Sequence, residues 1–136
     1  MRNKIFIPCL LVFVLICCRK EESMDQKAAI SILGKWQLVN VTDEYYSPVN
    51  VLKDKDEYVG TPADSVIFKS NNIMYSYSPV SGEEQASYHL INDSTIEMDN
   101  ELWKITKLTD KEFDVLSDET DVALGERYVV RIHMLR

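Results

Sequence analysis

The two histidines of the chain are its first candidates for catalysis or metal binding, because imidazole transfers protons near neutral pH and binds transition metals. His89 and His133 are far apart in sequence, and neither has a partner at the spacing of a metal motif such as His-x-x-x-His. The sequence also contains no nucleophile elbow, phosphate loop or dinucleotide-binding motif. It therefore predicts a protein that is not an enzyme and that binds no cofactor.

Three carboxylates in the segment 117–125 are the remaining candidates for a metal site. Asp118, Glu119 and Asp121 offer the oxygen ligands that calcium prefers, but they lack the regular spacing of a dedicated calcium-binding loop. We interpret them as part of a solvated acidic rim, and the sequence predicts no metal site.

Cys18 is the residue whose surroundings predict a covalent modification. Arg2 and Lys4 give the chain a short positive start, and residues 5–16 follow as an apolar run with few interruptions. That run is too short to span a bilayer as a helix and is typical of the hydrophobic region of a secretion signal. Residues 1–17 are therefore predicted to be a signal peptide.

Residues 15–18, Leu-Ile-Cys-Cys, resemble the lipobox of bacterial lipoproteins, in which a small residue precedes a cysteine that carries a lipid on its sulfur. Cys17 is small enough for the preceding position, whereas lipidation of Cys17 itself would place the bulky Ile16 there. The resemblance implies cleavage after residue 17 and attachment to the membrane through a lipid on Cys18.

Cleavage would change both the charge and the thiol content of the chain. The signal peptide holds two of the 15 basic residues and none of the 22 acidic ones, so the mature chain would carry a net charge of about −9. Such a chain is repelled by phosphates, which argues against nucleic-acid binding. Cys18 would be the last cysteine, so no internal disulfide is expected. The remaining length suits one domain, and we expect a monomer.

The polar segment after Cys18 bears on location. Residues 18–25 show no apolar periodicity and are predicted to form a flexible tether. Lys20, Glu21 and Glu22 resemble a signal that some Gram-negative lineages use to display lipoproteins on the outer face of the outer membrane. We therefore expect a protein anchored in the outer membrane, either exposed on the surface or facing the periplasm.

The folded domain is predicted to span residues 26–136. A short helix over residues 25–33, capped by Asp25 and ended by Gly34, comes first. Runs rich in Val, Ile, Thr and Tyr then alternate with turn pairs such as Asn71–Asn72, which predicts antiparallel hairpins. The predicted strands cover residues 35–42, 65–69, 73–78, 86–91, 95–98, 102–108, 112–117 and 127–134. We expect an all-β fold, an eight-stranded up-and-down barrel with a short N-terminal helix.

Alternation along each strand predicts which side chains fill this barrel. The inner face of the last strand is predicted to carry Tyr128, Val130, Ile132 and Met134. Arg131 falls on the opposite face. A barrel of eight strands holds packed side chains or one small ligand, and the length of this chain favours little spare volume.

Gly34, Lys35 and Trp36 resemble the Gly-x-Trp opening of lipocalins, and the domain is most similar to the lipocalin-like domains of small Gram-negative lipoproteins. The resemblance covers roughly residues 30–136 and also rests on the strand rhythm of residues 88–98 and 103–116. It implies that Trp36 closes one end of the barrel and that an arginine of the last strand packs across it. Arg131 is the expected counterpart, with Arg127 and Arg136 as alternatives.

The resemblance also implies a small apolar or amphipathic ligand, or a protein contact through the loops. Segment 43–64 is the longest predicted loop; it either forms a binding lid or contains a short element, such as a helical turn over residues 51–56, that plugs the barrel. The aromatic residues that we expect to contact a ligand are Tyr45, Tyr46, Trp103 and Tyr128.

Two functions therefore follow from the sequence. The first is a carrier or sensor of a small apolar or amphipathic molecule, which requires an internal cavity lined by residues such as Met98, Trp103, Tyr128 and Met134. The second is a surface interaction module without enzymatic activity, which would contact protein or glycan through loops around Tyr45 and Tyr58. The architecture does not decide between them, because one fold can serve unrelated roles.

Overall fold

A computed structural model describes residues 32–136, and every regular element in that range is a β-strand. The predicted signal peptide, the tether with Cys18 and nearly all of the predicted helix lie outside the described residues. Within residues 32–136, no helix has the length and hydropathy needed to cross a bilayer. The strands are β1 (Gly34–Tyr46), β2 (Leu52–Val59), β3 (Ser65–Phe68), β4 (Ile73–Ser78), β5 (Gly82–Asn92), β6 (Thr95–Met98), β7 (Glu101–Leu108), β8 (Glu112–Thr120) and β9 (Arg127–Leu135).

Eight of these strands close into an antiparallel barrel. Strands β3 to β9 pair in sequence order, and β1 pairs with β3 on one side and with β9 on the other, which completes the ring. Closure removes the exposed edges that an open meander would leave. The predicted fold class, an eight-stranded up-and-down barrel, is confirmed for the described residues.

The hairpin turns use the residues that the sequence placed there. Asp99 and Asn100 connect β6 to β7 with φ angles of 53° and 67°, and Asn72 adopts a φ of 62° in the turn between β3 and β4. Asparagine and aspartate tolerate this left-handed conformation better than other residues with a side chain, and such turns match the twist of paired strands.

Strand β2 lies outside the ring, where the sequence predicted a loop. It pairs with the second half of β1, from Asn40 opposite Val59 to Tyr46 opposite Leu52. All eight of its residues are exposed, so no apolar alternation marks it as a strand. The predicted helical turn over residues 51–56 is therefore wrong, because this segment is extended and bonded to β1.

The end of the barrel where β1 begins is closed by Trp36. Its indole Nε1 donates a hydrogen bond of 2.8 Å to the Ile32 carbonyl, and its ring lies 5.5 Å from Phe113 in the core. The guanidinium of Arg136 stacks 4.0 Å from the centre of the Trp36 ring and donates a 2.7 Å bond to the Leu33 carbonyl. Trp36 and Arg136 thus cover this end of the barrel together.

Arg131, which was the expected partner of Trp36, lies elsewhere. Its Nη1 donates a 2.5 Å hydrogen bond to Glu44 Oε2 on the outer face of β1. Strand alternation had placed Arg131 outward, and only an arginine at the end of β9 can fold back over the barrel bottom. The alternative, Arg136, takes this place, so the first choice is corrected.

Asp64 fixes the crossover from β2 to β3. Its buried carboxylate accepts hydrogen bonds from the Thr61 amide at 2.6 Å, the Thr61 hydroxyl at 2.7 Å and the Tyr58 hydroxyl at 3.0 Å. The bonds from Thr61, first from its side chain and then from its amide, lower the pKa of Asp64 from 3.8 to about 2. The charged form is therefore favoured in the folded protein.

This shift predicts how acid affects the fold. Because the folded pKa lies below the unfolded one, the stabilisation by Asp64 is complete above about pH 4 and is lost as the pH falls to about 2. We expect Asp64→Asn to be less stable than the wild type in urea at neutral pH, with a difference that shrinks across this window. A difference in the free energy of unfolding that stays constant from pH 5 to pH 2 would contradict the lowered pKa of Asp64. The other acidic groups are present in both proteins, so their contributions cancel in this difference.

Candidate functional site

The barrel encloses a cavity of about 300 Å³. Its wall is mainly apolar and combines side chains from strands on all sides of the ring, including Leu38, Phe68, Met74, Met98, Trp103 and Met134. Eight-stranded barrels can hold one small ligand in such a space. The expectation of little spare volume is therefore corrected, because the interior keeps room beyond its side chains.

The cavity opens at the turn between β6 and β7. Asp99 in that turn and Glu101 at the start of β7 line the cavity and are exposed to solvent. Strand directions alternate around the ring, so this turn lies at the same end as the β1–β2 and β8–β9 connections, and opposite the end that Trp36 closes. A ligand would enter through the end of the barrel that faces away from Trp36.

Strands β1 and β9 continue beyond the cavity at its open end. Val41 on β1 and Ile132 on β9 line the cavity and lie opposite each other. Further along the same inner face, Tyr45 lies opposite Tyr128, and their rings stack with centroids 5.1 Å apart. The inner face of β1 and β9 therefore carries part of the cavity wall and, further along, a tyrosine pair.

Beside this pair is a second, smaller pocket of about 170 Å³, which we call the tyrosine pocket. It is lined by Asp43, Tyr45, Asp54, Asp56 and Tyr128. Both the position of the pocket and its composition follow from the register of β2 on β1, which places Asp54 opposite Tyr45 and Asp56 opposite Asp43.

Glu126 holds the two tyrosine rings in place. The Tyr45 hydroxyl donates to its Oε1 at 2.5 Å, and the Tyr128 hydroxyl donates to its Oε2 at 3.2 Å. The bond to Glu126, followed by burial, raises the pKa of Tyr45 to about 12, so the phenol stays protonated and both rings remain neutral at physiological pH. The rings present fixed aromatic faces to the pocket.

Tyr46 points to the other side of β1. Its hydroxyl donates a 2.9 Å bond to Glu44, which also accepts from Arg131 and lies 3.6 Å from Lys55 Nζ. The hydrogen bonds from Arg131 and then from Tyr46 lower the pKa of Glu44, which remains ionised although it is nearly buried. This outer cluster joins β1, β2 and β9. Tyr46 therefore stabilises the sheet and does not line the cavity.

The four aromatic residues predicted for ligand contact thus lie in three places. Trp103 lines the cavity together with Met98 and Met134, as the carrier hypothesis required. Tyr45 and Tyr128 form the tyrosine pocket, and Tyr128 does not line the cavity itself. Tyr46 lies on the outer face.

The histidines lie apart from both pockets. His89 is exposed on β5, and His133 Nδ1 contacts Asp114 Oδ1 on the outer wall of the barrel. Among residues 32–136, no group of three histidine, cysteine, aspartate or glutamate side chains is placed to hold a metal ion.

The carboxylates around the open end are the site residues that the sequence reasoning missed. Asp43, Asp54 and Asp56 fell in the segment predicted to be a loop, so their common face could not be derived. The alternation Lys53-Asp54-Lys55-Asp56 was the available signal, because an extended strand places the two aspartates on the same side.

No known family model matches the chain, and no curated protein matches it either. Two further hollows, of about 320 and 450 Å³, have more polar walls that include Arg131 and His133 in one and Lys104 and Asp118 in the other. The cavity inside the ring has the most apolar wall, and the tyrosine pocket lies further along the same inner face.

Proposed function

We propose that this protein is an outer-membrane lipoprotein whose lipocalin-like barrel binds a small apolar or amphipathic molecule. The cavity of about 300 Å³ inside the ring carries this proposal. Its wall is apolar except for a few groups near the opening, which is the usual composition of small-molecule sites. An amphipathic ligand would place its apolar part against the wall and its polar part beside the groups near the opening.

The placement of the chain ends is compatible with a membrane anchor on Cys18. The segment that follows Cys18 joins the barrel at Ile32, beside Trp36 at the closed end. A tether that joins the barrel at this end would leave the opening and the tyrosine pocket uncovered for ligand exchange.

A change that fills the cavity tests the proposal. Ser76 faces the interior from β4, and phenylalanine in its place would occupy ligand space. We expect Ser76→Phe to weaken binding of decyl maltoside below its micelle concentration roughly tenfold, since displacing about two methylene groups costs about 1.6 kcal/mol. The change in tryptophan emission on binding measures the dissociation constant, because Trp103 lines the cavity and a bound alkyl chain alters the polarity around its indole.

The matched control is Ser87→Phe. Ser87 is exposed on β5 and lies opposite Ile73, on the outer face of the sheet, so the same substitution adds the ring outside the barrel. Unchanged affinity of the Ser87 variant with loss in the Ser76 variant supports a ligand inside the ring. Absence of binding by the wild type, or equal binding by both variants, refutes it.

A surface interaction module is the second candidate, and the tips of two hairpins favour it. Val49 and Val122 are 79% and 96% exposed in the β1–β2 and β8–β9 connections. The β1–β2 connection is bonded to the start of β9, since Arg127 Nη1 donates to Asn50 Oδ1 at 3.4 Å. This role would be preferred if alkyl probes fail to bind and an envelope protein cross-links at these tips.

A further inference from the structure

Near the open end of the barrel, the two faces of the sheet carry different charged residues. On the inner face, Asp43 lies opposite Asp56 and Tyr45 lies opposite Asp54. On the outer face, Glu44 lies opposite Lys55 and Val129. The inner face therefore collects carboxylates and aromatic rings, while the outer face carries the basic residues Lys55, Arg127 and Arg131.

The outer carboxylates are neutralised by those basic residues. Glu44 accepts from Arg131 and lies near Lys55. Asp118 receives two bonds of 2.6 Å from Arg127, one from Nε and one from Nη2. The basic groups of this region are thus engaged on the outer side of the sheet.

The inner carboxylates lack such compensation. Within residues 32–136, Asp43 and Asp56 form no ion pair, although they lie directly opposite each other on adjacent strands. Like charges in that position destabilise a strand pair. A cation between them would remove this repulsion.

The same face connects this negative site to the apolar cavity. Val41 lines the cavity, and Asp43 follows two residues later on the same side of β1, about 7 Å away. Asp99 and Glu101 add two more carboxylates at the opening, and none of the lysines and arginines in residues 32–136 lines either pocket. An amphiphile with an apolar tail in the cavity can therefore reach the tyrosine pocket with its polar end.

The tyrosine pair favours a cation at that end. An ammonium group is attracted to the face of an aromatic ring within about 6 Å, and the attraction adds to that of nearby carboxylates. Glu126 fixes both rings through their hydroxyls, so little ordering is required when the ligand binds. An anionic head group would meet only repulsion.

We infer that the ligand is an amphiphilic cation, with an alkyl or aryl tail in the barrel cavity and an amine or quaternary ammonium group between Asp43, Asp56 and the rings of Tyr45 and Tyr128. This inference rests on the proposed function, because it assigns the chemistry of the ligand that the cavity would hold. The tail supplies apolar burial, and the head group supplies the selectivity.

Three probes with the same tail test the inference on the full chain: decyltrimethylammonium, decyl maltoside and decanoate, each below its micelle concentration. We expect the cation to bind roughly tenfold more tightly than the neutral probe and decanoate to bind more weakly than either. The preference for the cation should decrease with added salt, since the site is open to solvent.

Substitutions of carboxylates test which residues cause the preference for the cationic probe. Asp43→Asn with Asp56→Asn should reduce the preference for the cation at least about fivefold while leaving decyl maltoside affinity unchanged. Glu57→Gln, with its carboxylate on the same strand but opposite Thr42 on the outer face, should keep the preference. Equal loss in the Glu57 variant would show a general effect of net charge and would refute the site.

The outcomes separate this inference from the proposed function. Binding of all three probes with equal affinity overturns the cationic head group and leaves an apolar carrier. Binding of none of them overturns the carrier itself. Tighter binding of decanoate contradicts the charge assignment directly.

Discussion

Trp36→Ala is expected to lower the free energy of unfolding by about 3–5 kcal/mol, which is the usual cost of removing a large buried aromatic side chain. Trp36 is fully buried at the closed end of the barrel, where its ring contacts Phe113 and its indole bonds to the Ile32 carbonyl. Truncation also removes the surface on which Arg136 stacks. Because small domains are stable by about 5–15 kcal/mol in total, this one substitution removes a large share.

Urea unfolding followed by fluorescence measures this loss, since Trp103 remains as a reporter after Trp36 is removed. Trp36→Phe is the graded control, because it keeps most of the apolar ring and loses the indole bond, and it should cost clearly less than alanine. Arg136→Met should cost at most about 2 kcal/mol, the upper range for a partly desolvated cation over an aromatic ring. A Trp36→Ala variant within 1 kcal/mol of the wild type would show that this end of the barrel closes without the tryptophan.

The ring of the barrel could be predicted because its strands are buried on one face only. Such strands alternate between apolar and polar residues, and their turns require asparagine, aspartate or glycine at positive φ, as Asp99 and Asn100 show. The predicted range for β4, residues 73–78, matches the observed strand Ile73–Ser78. The range for β6, residues 95–98, also matches. Errors at the other strands of the ring are confined to their ends: β1 and β8 extend past the core, and β5 begins at Gly82 rather than at residue 86.

Strand β2 could not be predicted because none of its side chains is buried, so its sequence shows no alternation of apolar and polar residues. Its residues are exposed on both faces, and its backbone bonds to β1 leave no periodic signal in the side chains. The charges along it agree with an unprotected edge, since lysine and acidic residues discourage pairing with another chain. Two residues of β2 line the tyrosine pocket, so the pocket could not be predicted without the strand.

Arg136 shows a second limit of prediction from the sequence. Alternation assigns each side chain to a face of the sheet but does not describe how the residue after a strand, here Arg136 after β9, bends around the end of a barrel. Arg131 and Arg127 are bound to carboxylates on β1 and β8, which only the register of three strands brings together. Long-range register, rather than local pattern, decided which arginine reached Trp36.

Gly60→Ala is expected to lower the free energy of unfolding by about 3 kcal/mol, at the upper end of the range for overpacked sites. Gly60 begins the crossover between β2 and β3, and its amide donates a 2.8 Å bond to the Val39 carbonyl. A Cβ at this position would lie 2.1 Å from the Leu38 carbonyl oxygen and 2.8 Å from the carbonyl carbon. These atoms belong to the backbone of β1, so the clash can be relieved only by moving the crossover or the strand.

The Gly60 variant should also affect the cavity, because Leu38 lines it and would move with its carbonyl. We therefore expect weaker binding of decyl maltoside together with the loss of stability, both measured on the same protein. Gly82→Ala is the control: a Cβ there would meet no atom within 4 Å, so its φ of 85° is the source of any cost, about 1 kcal/mol, and binding should not change. If Gly60→Ala were no worse than Gly82→Ala in both measurements, the crossover would not be held against β1, and the position of β2 beside the tyrosine pocket would lose its support.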